Sequence, residues 1–460
     1  MPDKLRIIHT NDLHSHFENW PKIKRFIQKK QETQANEAVL TVDLGDFLDR
    51  WHPLTEATDG KANIELMNEI HYDAITLGNN EGIGNSHDVL DHLYDQANFP
   101  VVLANLIDQQ TKKRPSWVKP YLMISTNIGI TVGVIGVTAP FPLTYQPNGW
   151  DVLDPIETLR KCIPEISEQA DYVVLLSHLG IEADDQIAHE FEQIDLILGS
   201  HTHHLFKEGK KIKQTQLAAA GKFGYYVGEV EVTFADNKQK LSSKATTFLT
   251  ESLVEQSEDQ IQINSWFDQG VQLLEQEVVA DLPFPLTREK GEHLIYPYAL
   301  QAMAQRGDTA ISLVNSGLFL DDLPQGLITK ADLHRILPHP MRLIRVTLSG
   351  SDVVRLVREI EKNRLFLKHY PIKGMGFRGK LFGEVHYLGL DYDANTQEVS
   401  IDQHPIDPNK RYTLTTVDHF MFIPFFPTIE LAGEVTFLFP EFLRTVVANG
   451  LSCYFPIDKS

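Results

Sequence analysis

Cysteine is nearly absent: Cys162 and Cys453 are the only two in 460 residues, almost a whole chain apart. That excludes a disulfide framework and a thiolate metal site, and makes a cytoplasmic location the expectation. Basic residues are also in deficit, with 42 Lys and Arg against 62 Asp and Glu and a formal charge of −20. Sequence-independent nucleic-acid binding needs many phosphate-neutralising cations, so nucleic acid is not an expected partner. No apolar run approaches the roughly 18–20 residues that cross a bilayer, and no membrane association is expected. The opening Met1-Pro2-Asp3-Lys4-Leu5-Arg6 leads straight into an apolar run and contains no signal-peptide core. No internal repeat is visible, and nothing in the composition implies a protein partner.

What is present is a globular composition, 42% hydrophobic and 23% charged, in a chain too long for one core. The first half alternates β-branched runs with amphipathic stretches. Leu5 to His9, Ala38 to Val42, Ala74 to Leu77, Val101 to Leu103, Thr131 to Val137, Tyr172 to Leu176 and Leu196 to Leu198 read as buried strands. Helical patterns at Pro21 to Lys30, Asn63 to Ile70 and Asp154 to Gln169 lie between them. This rhythm predicts a layered α/β domain over residues 1–250. A Gln- and Glu-rich stretch from Gln256 to Val279, followed by Asp281-Leu282-Pro283-Phe284-Pro285, predicts a connecting helix within 251–280. Residues 281–460 form a second domain, with helices near Tyr298 to Arg306 and Asp352 to Asn363 and strands at Leu343 to Leu348 and Val385 to Tyr392.

Polar clusters follow the predicted strands of the first domain. Asp12-Leu13-His14 follows the first, Gly45-Asp46 the second and Gly78-Asn79-Asn80-Glu81 the third. Ser177-His178 and Gly199-Ser200-His201-Thr202-His203 end two later ones. In an open α/β sheet the carboxyl ends of strands converge on one rim, so residues some 190 positions apart can meet. Carboxylates, neutral imidazoles and an amide oxygen suit Mn, Zn, Fe or Co better than an all-oxygen Mg or Ca cage. Seven donors exceed the needs of one ion. A shared carboxylate, with Asp46 the central candidate, would set two ions about 3.5–4 Å apart, an arrangement that activates water and clamps phosphoryl oxygens. Any one of these motifs alone is an ordinary loop or a helix cap; five in this order at strand ends are not.

That order resembles the calcineurin-like metallophosphoesterases. The strings Thr10-Asn11-Asp12-Leu13-His14, Leu176-Ser177-His178-Leu179-Gly180 and Asp195 to His201 are similar to the 5′-nucleotidase/UDP-sugar hydrolase family in particular. The resemblance covers most of the chain. It implies a four-layer α/β/β/α sandwich with a second, α+β substrate-binding domain, and a metal-dependent phosphoric ester hydrolase acting on a small phosphorylated substrate such as a nucleotide. It further implies two divalent ions, one held by Asp12, His14, Asp46 and His203, the other by Asp46, Asn79, His178 and His201.

The departures are specific. Where the family has Gly-Asn-His-Glu with an acidic residue two positions on, this chain has Gly78-Asn79-Asn80-Glu81-Gly82-Ile83. The family's histidine contacts phosphate and assists the leaving group; Asn80, the catalytic candidate here, can donate a hydrogen bond but has no proton to transfer. Phosphoanhydrides and activated esters are therefore the favoured substrates, unless another histidine such as His16 or His52 supplies the proton. In the second domain Asn315-Ser316-Gly317-Leu318-Phe319-Leu320 ends in Leu320 where the family has arginine. His339 stands at one aromatic wall of the family's nucleobase sandwich and Phe420 at the other. Arg342, Arg345, Arg378 and Lys380 are candidates to replace missing phosphate contacts, and the glycine-rich Lys373 to Gly379 adds Phe377 and Arg378. Substrate-binding candidates are therefore Asn315, His339, Phe377, Arg378 and Phe420. Two alternatives remain open: a phosphatase or phosphodiesterase with a non-nucleotide substrate, and a degenerate metal-dependent nucleotide-binding protein.

Overall fold

The computed structural model describes residues 3–32, 36–289, 291–372, 374 and 378–457. The chain forms two compact units, Met1–Gly270 and Val271–Ser460.

In the first unit the strands Asp3–Thr10, Glu37–Asp43, Ala74–Ile75, Val101–Val102 and Val118–Lys119 run parallel, and the hairpin Tyr226–Phe234 and Lys240–Leu249 completes a seven-stranded sheet. A second sheet of six strands centres on Thr131–Thr138, Tyr172–His178 and Leu196–Gly199, also parallel. Side-chain alternation decides the layers. Leu5, Ile7, Leu40 and Val42 of the first sheet share one core with Val132, Val174, Leu176 and Leu198 of the second, so the sheets pack face to face. Val173, Leu175 and Ile197, on the opposite face of the second sheet, meet Leu159, Ile163 and Ile166 of the helix Pro155–Ser167 and Ile187 of Ile181–Glu190. Both faces of Tyr172–His178 are thus covered, which is why its sequence is apolar without a break from Tyr172 to Leu176. On the outer face of the first sheet, Gln31 of the helix Trp20–Gln31 donates to Thr41 Oγ1 at 2.8 Å, and that helix buries Ile23 and Ile27. The result is the α/β/β/α order of layers.

Helix starts follow local chemistry. Asp154 Oδ1 accepts from Glu157 N at 2.8 Å with Pro155 in the first turn. The helix Asp259–Glu275 lies across the boundary between the units, and Val278 already belongs to a strand, Val278–Leu282, of the second. The second unit is α+β. Its five-stranded sheet runs in the order Val385–Leu388, Ile311–Asn315, Arg411–Val417, Arg342–Ser349, Glu434–Phe442, and its core includes residues of the helices Ile295–Gly307, Gly350–Leu367 and Leu443–Tyr454. The single strand expected from Val385 to Tyr392 is in fact two. Gly389 breaks it at φ 75°, where a Cβ would lie 2.2 Å from Ala310 O. Among the described residues no helix is long and apolar enough to cross a membrane.

Candidate metal centre

Parallel register brings the strand ends of the first sheet level, with Thr10 opposite Asp43, and the polar clusters emerge immediately beyond. Asp12 (φ 50°), His14 (φ 50°), Asp46 (φ 52°), His201 (φ 72°) and His203 (φ 57°) all adopt left-handed backbone. For residues other than glycine this costs on the order of 1–3 kcal/mol each and persists only where the surroundings impose it. The imposing contacts are interlocked. Asp12 N donates to Gly45 O at 3.1 Å, His14 N to Asp46 O at 2.8 Å and Phe223 N to Asp12 O at 2.7 Å. Gly45 and Gly78 pack backbone against backbone: a Cβ on Gly45 would lie 2.2 Å from Gly78 N, and one on Gly78 2.1 Å from Asp46 Oδ1.

Seven donors converge there. Asp12, His14 and His203 form one group and Asp46, His178 and His201 another, with ligand atoms within 4.8 Å of one another in each. His14 Nε2 faces His203 Nε2 at 3.1 Å, and His203 Nε2 lies 3.7 Å from Asp12 Oδ1. Asp46 Oδ2 lies 3.4 Å from His178 Nε2 and 3.8 Å from His14 Nε2, so it borders both groups. Asn79 Oδ1 is 2.8 Å from His201 Nδ1 and 3.2 Å from His178 Nε2. Surrounding bonds turn these atoms inward. His178 Nδ1–H donates to Leu44 O at 2.7 Å, presenting Nε2, and Ser200 Oγ donates to Asp12 Oδ2 at 2.5 Å, leaving Oδ1 toward the histidines.

The electrostatics suit cations. Burial, reinforced by neighbouring imidazoles, pushes His201 down to about 4 and His203 down to about 3, so both are neutral and able to ligate. Burial opposes charge on Asp46, but His178, His14 and the Asn80 N–H together hold its carboxyl well below the usual range. Burial likewise opposes charge on His178, yet Asp46 outweighs it and pushes the imidazole up to about 10. Near neutral pH the metal-free protein therefore carries a proton on His178 that a ligated ion must displace. His14 is raised as well: burial opposes its charge, but Asp49, Asp46 and Asp12 outweigh it, so ion affinity should rise with pH through the neutral range, by about tenfold per unit for each proton released. Calorimetry of Mn²⁺ binding in buffers of different ionisation enthalpy measures that count, and zero protons released would contradict it. His201 and His203, already neutral above about pH 5, add nothing to this slope.

Glu81 has a part that its place in the sequence string does not reveal. Its Oε2 accepts from Asp46 N at 2.9 Å and Gly78 N at 3.0 Å, and its Oε1 from Leu48 N at 2.9 Å. One buried carboxylate thereby ties the Asp46 loop to the Asn79 loop, and burial together with the charge of Asp46 pushes it up to about 7. Glu81→Gln replaces one acceptor oxygen by an NH₂, so it should lower ion affinity by about 10–100-fold with the fold retained. Equilibrium dialysis with Mn²⁺, paired with circular dichroism, reads this directly.

Asn80 is beside the donors: its N–H donates to Asp46 Oδ1 at 2.7 Å, and its Nδ2 donates to Leu48 O at 3.1 Å and lies 2.8 Å from His14 Nδ1. His52 caps the helix Pro53–Ala57, accepting from Leu54 N at 3.2 Å. His16 pairs with Glu18 at 2.7 Å and packs on Phe223, 3.9 Å between centroids, with that ring 5.8 Å from His14. Phe141 lies 5.6 Å from His201, so an aromatic ring flanks each donor group, which the sequence does not reveal because both rings sit in loops without periodicity.

The second-unit candidates do not gather into an open aromatic sandwich. Phe420 is fully buried against Phe426 and Phe382. His339 is buried too, Nε2–H donating to Leu318 O at 2.7 Å and Nδ1 accepting from Arg378 N at 2.7 Å. Asn315, also buried, donates to Phe382 O at 2.7 Å. These correct the expectation of exposed walls: the strand-end aromatic points into the core, and the imidazole links two loops. Arg378 lines a cavity of this unit, as does Lys380, whereas Arg342 is buried; Phe377 lies outside the described residues.

Residues 5–205 match the calcineurin-like phosphoesterase model and residues 276–422 the 5′-nucleotidase C-terminal domain. The Bacillus subtilis (strain 168) metallophosphoesterase YunD is 39% identical over 97% of this chain and 99% of its own length. A Vibrio cholerae 5′-nucleotidase is 24% identical, covering 76% of this chain and 74% of its own. Two solved structures share the fold: a putative 5′-nucleotidase from Staphylococcus aureus (TM-score 0.67, 18% identity, 98% of this chain and 97% of that one) and the Haemophilus influenzae NAD nucleotidase (TM-score 0.63, 17% identity, 98% and 96%).

Proposed function

The chain belongs to the calcineurin-like metallophosphoesterases with a 5′-nucleotidase C-terminal domain, metal-dependent phosphoester hydrolases with a dinuclear centre, and from that premise we propose that it cleaves phosphoester or phosphoanhydride bonds of small molecules at the seven-donor rim of its first unit. The observation that supports this most is the position of Asp46 between the two donor groups. Asp12, His14, Asp46 and His203 would hold one ion and Asp46, Asn79, His178 and His201 the other. The donor set, imidazole and carboxylate without thiolate, favours Mn, Zn, Fe or Co. Such an ion pair, when bound, supplies an activated water and stabilises the charge on phosphoryl oxygens.

The chain's own residues set the rest. Ser200 and the Leu44 carbonyl fix which atoms of Asp12 and His178 face the centre. Asn80 steadies the Asp46 carboxylate through its N–H and touches His14 through its amide, so it positions donors and offers no proton to the departing oxygen. The second unit selects what the phosphoryl group is attached to. Burial of His339 and Phe420 favours a second reading of that unit, in which the substrate is not a stacked nucleotide.

The test is turnover of p-nitrophenyl phosphate, a nucleoside monophosphate, the matching diphosphate and a nucleotide sugar by chelator-stripped protein, before and after each metal is restored, with metal content measured by mass spectrometry. Two ions bound and turnover restored is the expected result. Two ions bound with no turnover on any substrate would support a binding protein instead.

A further inference from the structure

Beside the metal centre the first unit leaves Pro140-Phe141-Pro142-Leu143 in water, an uninterrupted apolar run in which Phe141 is 37% and Leu143 48% exposed. Single apolar side chains at a surface are ordinary, but a contiguous run beside a polar centre forgoes burial and marks a surface that a ligand covers. The run is held firmly. Pro140 and Pro142 fix φ on either side of Phe141. Phe141 O accepts from Thr144 N at 3.0 Å, Tyr145 N at 2.9 Å and Thr144 Oγ1 at 2.9 Å, which starts the short helix Pro142–Tyr145. Tyr145 is fully buried and packs on Gly82, where a Cβ would lie 2.2 Å from the phenol oxygen. Gly82 belongs to the helix Asn79–Gly84, whose first residue is one of the seven donors, so the run and the donors share one support.

Of the two rings that flank the donors, Phe223 is already covered. His16 lies against it at 3.9 Å and 35°, and Lys222 Nζ stands 4.5 Å from its centroid. Phe141 has one ring neighbour among the described residues, His201, at 5.6 Å and a tilt of 48°, and more than a third of it stays in water. A phosphoryl group bound at the donors carries its substituent outward, and an open ring this close to His201 is within reach of that substituent. Apolar surface withdrawn from water there adds to the affinity, and an aryl group gains further from stacking. We infer that Phe141, with Leu143, forms a subsite of the first unit for an apolar substituent, aryl or alkyl, on the phosphoryl group. The inference deepens the hydrolase reading and rests on it for what the substituent is attached to.

The experiment titrates the full-length, Mn²⁺-loaded protein by calorimetry with methylphosphonate, hexylphosphonate and phenylphosphonate, which present the same phosphoryl group on a carbon that hydrolysis does not release. Hexylphosphonate, phenylphosphonate or both should bind about tenfold more tightly than methylphosphonate. An advantage for phenyl alone identifies an aryl substituent, and one for hexyl alone an alkyl chain. Phe141→Ala should bring these affinity ratios close to one, and Phe141→Leu should keep the hexyl ratio while lowering the phenyl ratio. Manganese content and thermal unfolding of both variants establish that the centre and the fold are intact. Equal affinity for all three phosphonates, or ratios unchanged by Phe141→Ala, would overturn the assignment. A wild-type dimer that Phe141→Ala turns into a monomer with the ratios unchanged would give the apolar run to a second copy of the chain instead. Turnover of p-nitrophenyl phosphate separates the two readings. Discrimination among phosphonates without turnover rejects the hydrolase and leaves the subsite, turnover without discrimination rejects the subsite alone, and no phosphonate bound by protein holding two ions rejects both.

Discussion

Asp46→Ala should abolish hydrolysis and deplete both ion sites at once. Among the described residues Asp46 is the carboxylate whose oxygen lies near histidines of both donor groups, 3.4 Å from His178 and 3.8 Å from His14. Loss of the shared ligand removes several kcal/mol of charge stabilisation, so kcat/KM should fall by about 10⁴-fold or more. Metal content should drop well below two per chain, whereas an alanine at a donor of one group only, such as His203, should spare one ion better. Asp46 also accepts from Asn80 N at 2.7 Å, and Asp46→Asn preserves that acceptor and the side-chain volume, providing a variant in which folding is not the issue. If Asp46→Ala kept near-normal activity with two ions bound, the shared-ligand assignment would be wrong.

The second large effect is expected at Asn80, where the family resemblance places a histidine. General acid assistance contributes about 10²–10⁴-fold and matters most when the departing oxygen is a poor leaving group, such as a ribose alkoxide. The wild-type chain should therefore turn over the diphosphate and nucleotide sugar faster than the monophosphate. Asn80→His should raise kcat on the nucleoside monophosphate by about 10²-fold while changing p-nitrophenyl phosphate turnover only a few-fold. Adding Ile83→Asp, which restores an acidic partner two residues beyond Glu81, should increase the gain. The substitution also removes the amide that now meets His14 and Leu48 O, so some loss of ion affinity is expected alongside. The quantity that decides is the ratio of the two substrates' kcat/KM at saturating metal. An unchanged ratio would mean that protonation of the leaving group does not limit the wild-type reaction.

Both predictions start from residues visible as motifs, and the reason lies in how local their signals are. Strands such as Tyr172–His178 declare themselves because burial on both faces demands a continuous apolar run, here Tyr172 to Leu176. The helix Pro155–Ser167 declares its start through Asp154 and Pro155. Donors placed directly after strands are equally legible, since parallel strands of one sheet bring their carboxyl ends to one rim whatever the intervening lengths. Where a signal was local but incomplete, the boundary failed: Val385 to Tyr392 has the composition of one strand, and only the approach of Ala310 O to Gly389 shows why it is two.

The parts that escaped depend on contacts between distant segments. Glu81 joins two loops by accepting three N–H groups, and no spacing pattern encodes an acceptor's partners. Left-handed backbone at Asp12, His14, Asp46, His201 and His203 is likewise imposed from outside each loop, because none of these residues prefers it. Phe420 at a strand end reads the same whether its ring meets a ligand or Phe426, and the packing of the second unit alone puts it in the core. Chain chemistry thus establishes the layered class and puts the candidate metal donors at strand ends, because those follow from residue type and strand order. Which backbone groups hold the donor loops together and which aromatics are withdrawn from solvent follow from three-dimensional juxtaposition, because distance and burial are properties of pairs that the linear order does not contain.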